Sequence, residues 1–247
     1  MSIHPRLHDA FSDRRALKII SGLMNFDAAR VEAVVRAADQ GGADFVDIAA
    51  DPELVRLAKR LTSLPVCVSA VEPDAFVAAV AAGADVLEIG NYDAFYAQGR
   101  RFEAPEILEL TRQTRSRCPE IMLSVTVPHI LALDEQVQLA EALVNAGADV
   151  IQTEGGTSSQ PNHPGTLGLV EKAAPTLAAA YEISHAVSVP VMCASGLSSV
   201  TAPMAIAAGA AGIGVGSAVN QLNSEIAMVA VVRSLAEAVR TATTVQA

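Results

Sequence analysis

Four stretches frame the fold: GGADFVDIAA at 41–50, AGADVLEIG at 82–90, AGADVIQT at 146–153 and AGAAGIGVG at 208–216. Each opens with a small residue, Gly and Ala, adds Asp in three of the four cases, and runs at once into a short β-rich segment. Each also follows an amphipathic stretch of helical spacing, such as ARVEAVVRAADQ at 29–40 or DEQVQLAEALVN at 134–145. A glycine at that point suits the left-handed position that ends a helix, so the pattern reads helix, stop, strand. Four more apolar runs lie between these: ALKIISGL at 16–23, LPVCVSAV at 64–71, EIMLSVTV at 120–127 and VPVMCASGL at 189–197. Strands are therefore expected near 16–22, 44–50, 65–71, 85–91, 121–127, 149–155, 190–196 and 212–217.

Strands that alternate with helices imply a parallel sheet, and eight such units close best as a (β/α)8 barrel of the α/β class. An open doubly wound sheet is disfavoured, because the first strand runs into ISGLMNFD with no GxGxxG. The 247 residues are expected to form one barrel over 1–247, with residues 1–15 a capping segment whose short helix covers the floor.

Composition narrows the partners. Hydrophobic residues make up 51% and charged residues 18%, a core-building mixture rather than a disordered one. A net charge of −10 leaves no basic stripe for nucleic acid. It still allows a small anion, which a local nest of backbone N–H groups can hold. Cys67, Cys118 and Cys193 have neither metal-site nor disulfide spacing, and the N-terminal stretch MSIHPRLHDAFSDRRALK has no apolar signal core. No run has the length of a membrane span. A cytoplasmic protein without a membrane partner, forming a homo-oligomer such as a dimer, is expected.

Strand parity then indicates what faces inward, because alternate residues take opposite faces. With the bulky Leu87 and Ile89 against the helices, Glu88 points in; Val46 and Ile48 put Asp47 inside by the same argument. Ser124 and Thr126 face inward from the fifth strand, Gln152 and Glu154 from the sixth, Lys18 from the first, and Cys193 and Ser195 from the seventh. Most barrels fill this space with branched apolar residues. A polar interior is either a catalytic cluster or, lower in the barrel, a structural ion pair of Lys18 with Asp47 or Glu88. Glu154 lies at the rim where barrel chemistry occurs.

The stretch CASGLSSVTAPMAIAAGAAGIGVGSAVN at 193–220 ends two strands in glycine and serine and then opens a helix near Val219. Ser195, Gly196, Gly214, Gly216 and Ser217 are the candidate phosphate ligands, since free N–H groups at a helix start favour an anion. Glycines packing a barrel seam are the alternative. This segment resembles the phosphate-binding barrel superfamily, in which tryptophan synthase α subunits, indole-glycerol-phosphate synthases and thiazole synthases fall. Between the sixth strand and its helix lies EGGTSSQPNHPGTLG at 154–168, the longest irregular run and a candidate flap bearing His163. Its TEGGTSS and HPG elements resemble nitronate monooxygenase-like proteins, which implies FMN as a possible cofactor. In GNYDAFYAQGRRFEAPE at 90–106, Asn91, Tyr92, Tyr96 and Arg100 can contact a ligand, or Arg100 and Arg101 pair with Glu103 or Glu106. His129 in SVTVPHI is a candidate acid or base, while Asn25 and Asp27 read first as a helix cap.

From about Leu17 to Arg240 the chain resembles the family named after hypothetical chloroplast reading frame 23, found in cyanobacteria and some algal plastids. KIISGLMNFD, FVDIAADPELVRLAK, EIGNYDAFYAQGRRFEA, IQTEGGTSS and CASGLSSVTAPMAIAAG carry the likeness. It implies a cyanobacterial cytosol or a plastid stroma, and it brings no reaction. The residues themselves lead to a metal-independent lyase, isomerase or synthase acting on a small phosphorylated molecule. Glu154 would be its base, Lys18, Glu88 and Asp47 its acid or electrostatic partners, with Gln152, Ser124, Asn91, Arg100 and His129 on the substrate. A Schiff base at Lys18, an FMN-dependent oxidoreductase and a non-catalytic phosphometabolite sensor are the rival readings.

Overall fold

A computed structural model describes residues 3–156 and 160–242. Its strands are β1 Ala16–Ile20, β2 Phe45–Ala49, β3 Val66–Ala70, β4 Val86–Ile89, β5 Met122–Val127, β6 Val150–Thr153, β7 Val191–Ala194 and β8 Gly212–Val215. All pairs are parallel, and β8 returns to β1, so the sheet closes in strict chain order. The (β/α)8 barrel read from the sequence is the fold.

The helices are α1 His8–Ser12, α2 Ala28–Gly41, α3 Pro52–Leu61, α4 Pro73–Ala81, α5 Asp93–Tyr96, α6 Ala104–Arg117, α7 Leu133–Asn145, α8 Gly165–Ala186, α9 Ala202–Ala207, α10 Ser217–Asn220 and α11 Glu225–Arg240. The repeated glycines act as expected: Gly42, Gly83, Gly147 and Gly209 have φ of 83°, 107°, 103° and 103°. That left-handed backbone is open to glycine at little cost and turns each helix back towards its strand. The repeated aspartate has a separate job. Asp44, Asp85 and Asp149 accept the backbone N–H of Leu17, Val66 and Leu123 at 2.8, 2.8 and 3.0 Å. Each carboxylate thus satisfies an amide at the start of the preceding strand, which has no ladder partner there.

The barrel interior is layered. At the bottom, Phe45, Val86, Met122, Val150 and Met192 pack against Leu7, Ala10 and Phe11. The N-terminal cap is a 3₁₀ turn, Pro5–Leu7, followed by α1, and not one helix over 2–15. Above this apolar plug lies a polar layer built from Lys18, Asp47, Ser69, Glu88, Ser124 and Gln152, all buried.

Parity fails at β7. Cys193 does not face inward: its thiol lies 3.6 Å from Thr176 Oγ1 on α8, inside the helix-facing core. Met192 takes the interior place. Both faces of this strand are apolar, so alternation carries no sign there. The candidate flap also ends earlier than 168, because α8 begins at Gly165, and its residues 157–159 lie outside the described ones. The helix expected near Val219 starts at Ser217.

Candidate functional site

The polar layer is closely paired. Lys18 Nζ contacts Glu88 Oε2, and Gln152 Nε2 donates to Glu88 Oε1 and, at 3.1 Å, to Thr126 Oγ1. Ser69 Oγ reaches both oxygens of Asp47 at 2.7 and 2.8 Å, and Asn91 Nδ2 lies 3.1 Å from Ser69 Oγ and 3.4 Å from Asp47 Oδ2. Burial alone would lower the Lys18 pKa, but Glu88 and Asp47 outweigh it and hold the ammonium above its usual range. Asp47 is pushed up to about 7, chiefly by burial, against the pull of Lys18. A lysine so held is a poor nucleophile, because imine formation requires the neutral amine.

Over this layer, at the C-terminal ends of the strands, opens a cavity of about 510 Å³. Ser21 and Asn25 from the β1 loop, Asn91 and Asp93 after β4, Gln152 and Thr153 on β6 and Glu154 directly after it line it. Ser195–Leu197 after β7 and Gly214–Ser217 at the end of β8 close the other side. The structure sets Lys18, Asp47, Glu88 and Ser124 beneath the cavity and off its wall. Arg100 is also away from it, paired with Glu106 at 3.0 Å and stacked over Phe102 at 4.4 Å. His163 joins Glu171 at 2.5 Å on the exposed surface of α8.

The β7 end turns sharply. Ser195 has φ 79°, a backbone that side-chain-bearing residues adopt at a cost and that collects at functional sites. Its Oγ is buried without a hydrogen-bond partner among the described residues. At Gly196, φ 71°, a Cβ would lie 2.6 Å from the Lys172 carbonyl oxygen, so only glycine fits. On the facing loop, the Val219 and Asn220 amides donate to Gly216 O at 2.9 Å. The amides of Ser217 and Ala218 fall in the first turn of α10, where a helix offers no acceptor.

Opposite sits Glu154, 4% exposed. Its Oε1 accepts Asp93 N–H at 3.0 Å; its Oε2 lies 3.1 Å from Tyr96 Oη, 3.4 Å from His129 N and 3.0 Å from His129 Nδ1. Burial raises the Glu154 pKa, and the hydrogen bond to Glu154 raises that of His129. Asp93 Oδ1 is 3.6 Å from His129 Nδ1, and Asp93, His129 and Glu154 offer three ligand atoms within 4.8 Å of one another. That spacing would admit a cation, although Glu154 already accepts several protein donors.

Sequence reading singled out Glu154, Gln152, Asn91 and the Ser195–Gly196 and Gly214–Ser217 loops, all of which line the cavity. It missed Asp93, whose amide holds Glu154 from a helix too short to show a period, and Asn220, which donates to Ile20 O and Ser21 O at 3.1 Å. Asn25 was read as a cap. Asp27 performs that role, accepting Ala29 and Arg30 amides, while Asn25 bonds Ser21 Oγ at 2.8 Å on the cavity wall.

Fold and site together define a (β/α)8-barrel protein with a ligand-sized cavity on the face where such barrels carry their chemistry. Within that class the chain belongs to the family described as "Protein of unknown function (DUF561)", which matches residues 1–245. A relative from Pyropia yezoensis, "Uncharacterized protein ycf23", is 40% identical over 229 residues, covering 93% of this chain and 84% of that protein. The resemblance read from the sequence is thereby borne out. Among solved structures, (S)-3-O-geranylgeranylglyceryl phosphate synthase from Thermoplasma acidophilum has a TM-score of 0.62 at 15% identity, covering 97% of this chain and 99% of that one. 3-Hexulose-6-phosphate synthase has a TM-score of 0.63 at 17% identity, covering 90% and 99%. At these identities the likeness is one of fold. No helix among the described residues is long and apolar enough to cross a membrane.

Proposed function

We propose that the protein is an enzyme that binds a small phosphorylated metabolite and acts on it by acid–base chemistry, as a lyase, isomerase or synthase. The observation that carries this reading is Glu154, a buried carboxylate of raised pKa on the wall facing the Ser195–Gly196 and Gly216–Ser217 loops. The phosphate sits between those loops, on the Ser195 hydroxyl and the first amides of α10, with Gly196, Gly214 and Gly216 giving it room. Its organic portion extends towards Glu154, which exchanges a proton with it, and His129, which is not among the cavity-lining residues, acts through its hydrogen bond to Glu154 Oε2. Two structural neighbours are in keeping with this: one was solved with sn-glycerol-1-phosphate, and the other is named for a hexulose phosphate.

A metal-free mechanism fits a carboxylate whose oxygens already accept Asp93, Tyr96 and His129. Lys18, Glu88 and Asp47 act from beneath as a fixed electrostatic base. The protein works as a homo-oligomer in a cyanobacterial cytosol or plastid stroma.

The test is two-part. Phosphate binding is read by ³¹P NMR titration with inorganic phosphate, and Glu154→Gln is then compared with wild type. An enzyme should keep phosphate affinity within a few-fold and lose turnover by about 10²–10⁴, the usual worth of a positioned acid–base group. Phosphate affinity and biological activity both kept in Glu154→Gln favour a sensor, whereas turnover kept in that variant means that another group is the base. A yellow complex that survives desalting after FMN addition favours the flavin reading, in which FMN phosphate takes the same two loops.

A further inference from the structure

The amide of Gln152 is locked in one orientation. Its Nε2 is committed to Glu88 Oε1 and Thr126 Oγ1. Turning it over would set a carbonyl oxygen against the carboxylate that Lys18 neutralises, acceptor against acceptor. Oε1 is therefore directed the other way. It is buried, it has no hydrogen-bond partner among the described residues, and the residue is 1% exposed on the cavity wall. It lies beside β8, where a Cβ on Gly214 would approach it to 3.3 Å. Asn91 repeats the arrangement one wall away. Its Nδ2 turns to Ser69 Oγ and Asp47 Oδ2, so the planar amide directs Oδ1 away from them. A backbone φ of 64° at Asn91 brings its side chain back over the layer.

We infer that the cavity floor is an array of fixed acceptors, Gln152 Oε1 and Asn91 Oδ1, that selects a phosphomonoester bearing hydroxyl groups on the carbons next to the phosphate. The buried charges gain a purpose: Glu88 and Asp47 orient the two amides, and Lys18 keeps the pair of carboxylates tolerable in the barrel. They are positioning residues. The inference rests on the phosphate reading above and adds what lies beside the phosphate. Gly214 stands two residues before Gly216 in the chain, so the Gln152 acceptor lies deeper in the cavity than the Gly216–Ser217 loop, beside the ester's organic portion.

A buried acceptor left without a donor is costly, so a site built to take a hydroxyl rejects the analogue lacking it. Isothermal titration calorimetry with three probes tests this: glycerol 3-phosphate, propyl phosphate and 2-aminoethyl phosphate. Glycerol 3-phosphate should bind wild type at least tenfold tighter than propyl phosphate. Gln152→Met should shrink that preference below threefold while leaving propyl phosphate within threefold of wild type. Equal binding of glycerol and propyl phosphates to wild type would overturn the inference and leave the phosphate reading standing. Tightest binding of 2-aminoethyl phosphate would replace the hydroxyl with an ammonium. A preference undiminished in Gln152→Met would remove that residue's role. If none of the three binds, and inorganic phosphate does not either, the phosphate reading falls and takes this one with it. Should Gln152→Met not fold, the wild-type comparison decides.

Discussion

Asp47 lies at the centre of the barrel with no exposed surface, hydrogen-bonded to Ser69 and close to both Lys18 and Glu88. Its proton is held more tightly in the folded protein than in the unfolded chain, since burial moves its pKa from 3.8 to about 7. The folded state then binds more protons across that window, so this residue lowers stability as pH rises from about 4 to about 7. Asp47→Asn removes the titration. Urea unfolding at pH 5 and pH 7.5 should show the stability gap moving in favour of the variant at the higher pH; a constant gap would mean that Asp47 titrates normally. The inward orientation of Asp47, Glu88, Lys18 and Gln152 was legible because polar residues alternate there with bulky apolar ones. Val191, Met192 and Cys193 offer no such contrast, which is why Cys193 was misplaced. What parity cannot give is depth: it shows which way a side chain points, and not whether it touches the cavity or lies one layer below.

Three of the βα units are held by two devices from the same short repeat, the left-handed glycine that ends the helix and the aspartate that takes an amide near the start of a neighbouring strand. Both could be located in the sequence, the glycine with its reason and the aspartate without one, because its partner lies 19 to 27 residues back in the chain. The four-residue helix α5 was not legible, since at that length no apolar period develops, and α10 was expected only from about Val219, two residues late. They nevertheless carry the Asp93 amide that holds Glu154 and the Ser217 side of the cavity wall. A second element-scale contact closes the ring. At Gly41, the last residue of α2, a Cβ would collide with Cβ and Cγ1 of Val232 on α11. The first long helix and the last can pack this closely only with glycine. Gly41→Val should cost about 1–3 kcal/mol through overpacking, lowering Tm by about 3–10 °C in calorimetry for a chain of this size. An unchanged Tm would mean that the two helices stand further apart.

The whole molecule carries a net charge of −10, and no lysine or arginine lines the cavity among the described residues. On the proposed phosphate reading, the dianion must approach a like-charged body and be held by neutral hydroxyls and amides, opposite Glu154. For a sphere of this chain length the Coulomb repulsion, screened over about 30 Å at 0.01 M salt and about 8 Å at 0.15 M, differs by about 1 kcal/mol between the two conditions. Affinity for inorganic phosphate should thus rise roughly fivefold as salt is raised over that range, the reverse of a basic anion site. Calorimetric titration at the two ionic strengths measures it. One residue could invert the sign. Lys172, two turns into α8, runs its stem past the β7 loop, its Cγ 3.1 Å from where a Gly196 Cβ would stand. An affinity that falls with salt in wild type and rises with salt in Lys172→Met would assign the missing cation to that side chain. A rise in both would leave the cradle neutral, with specificity resting on the amides and hydroxyls alone.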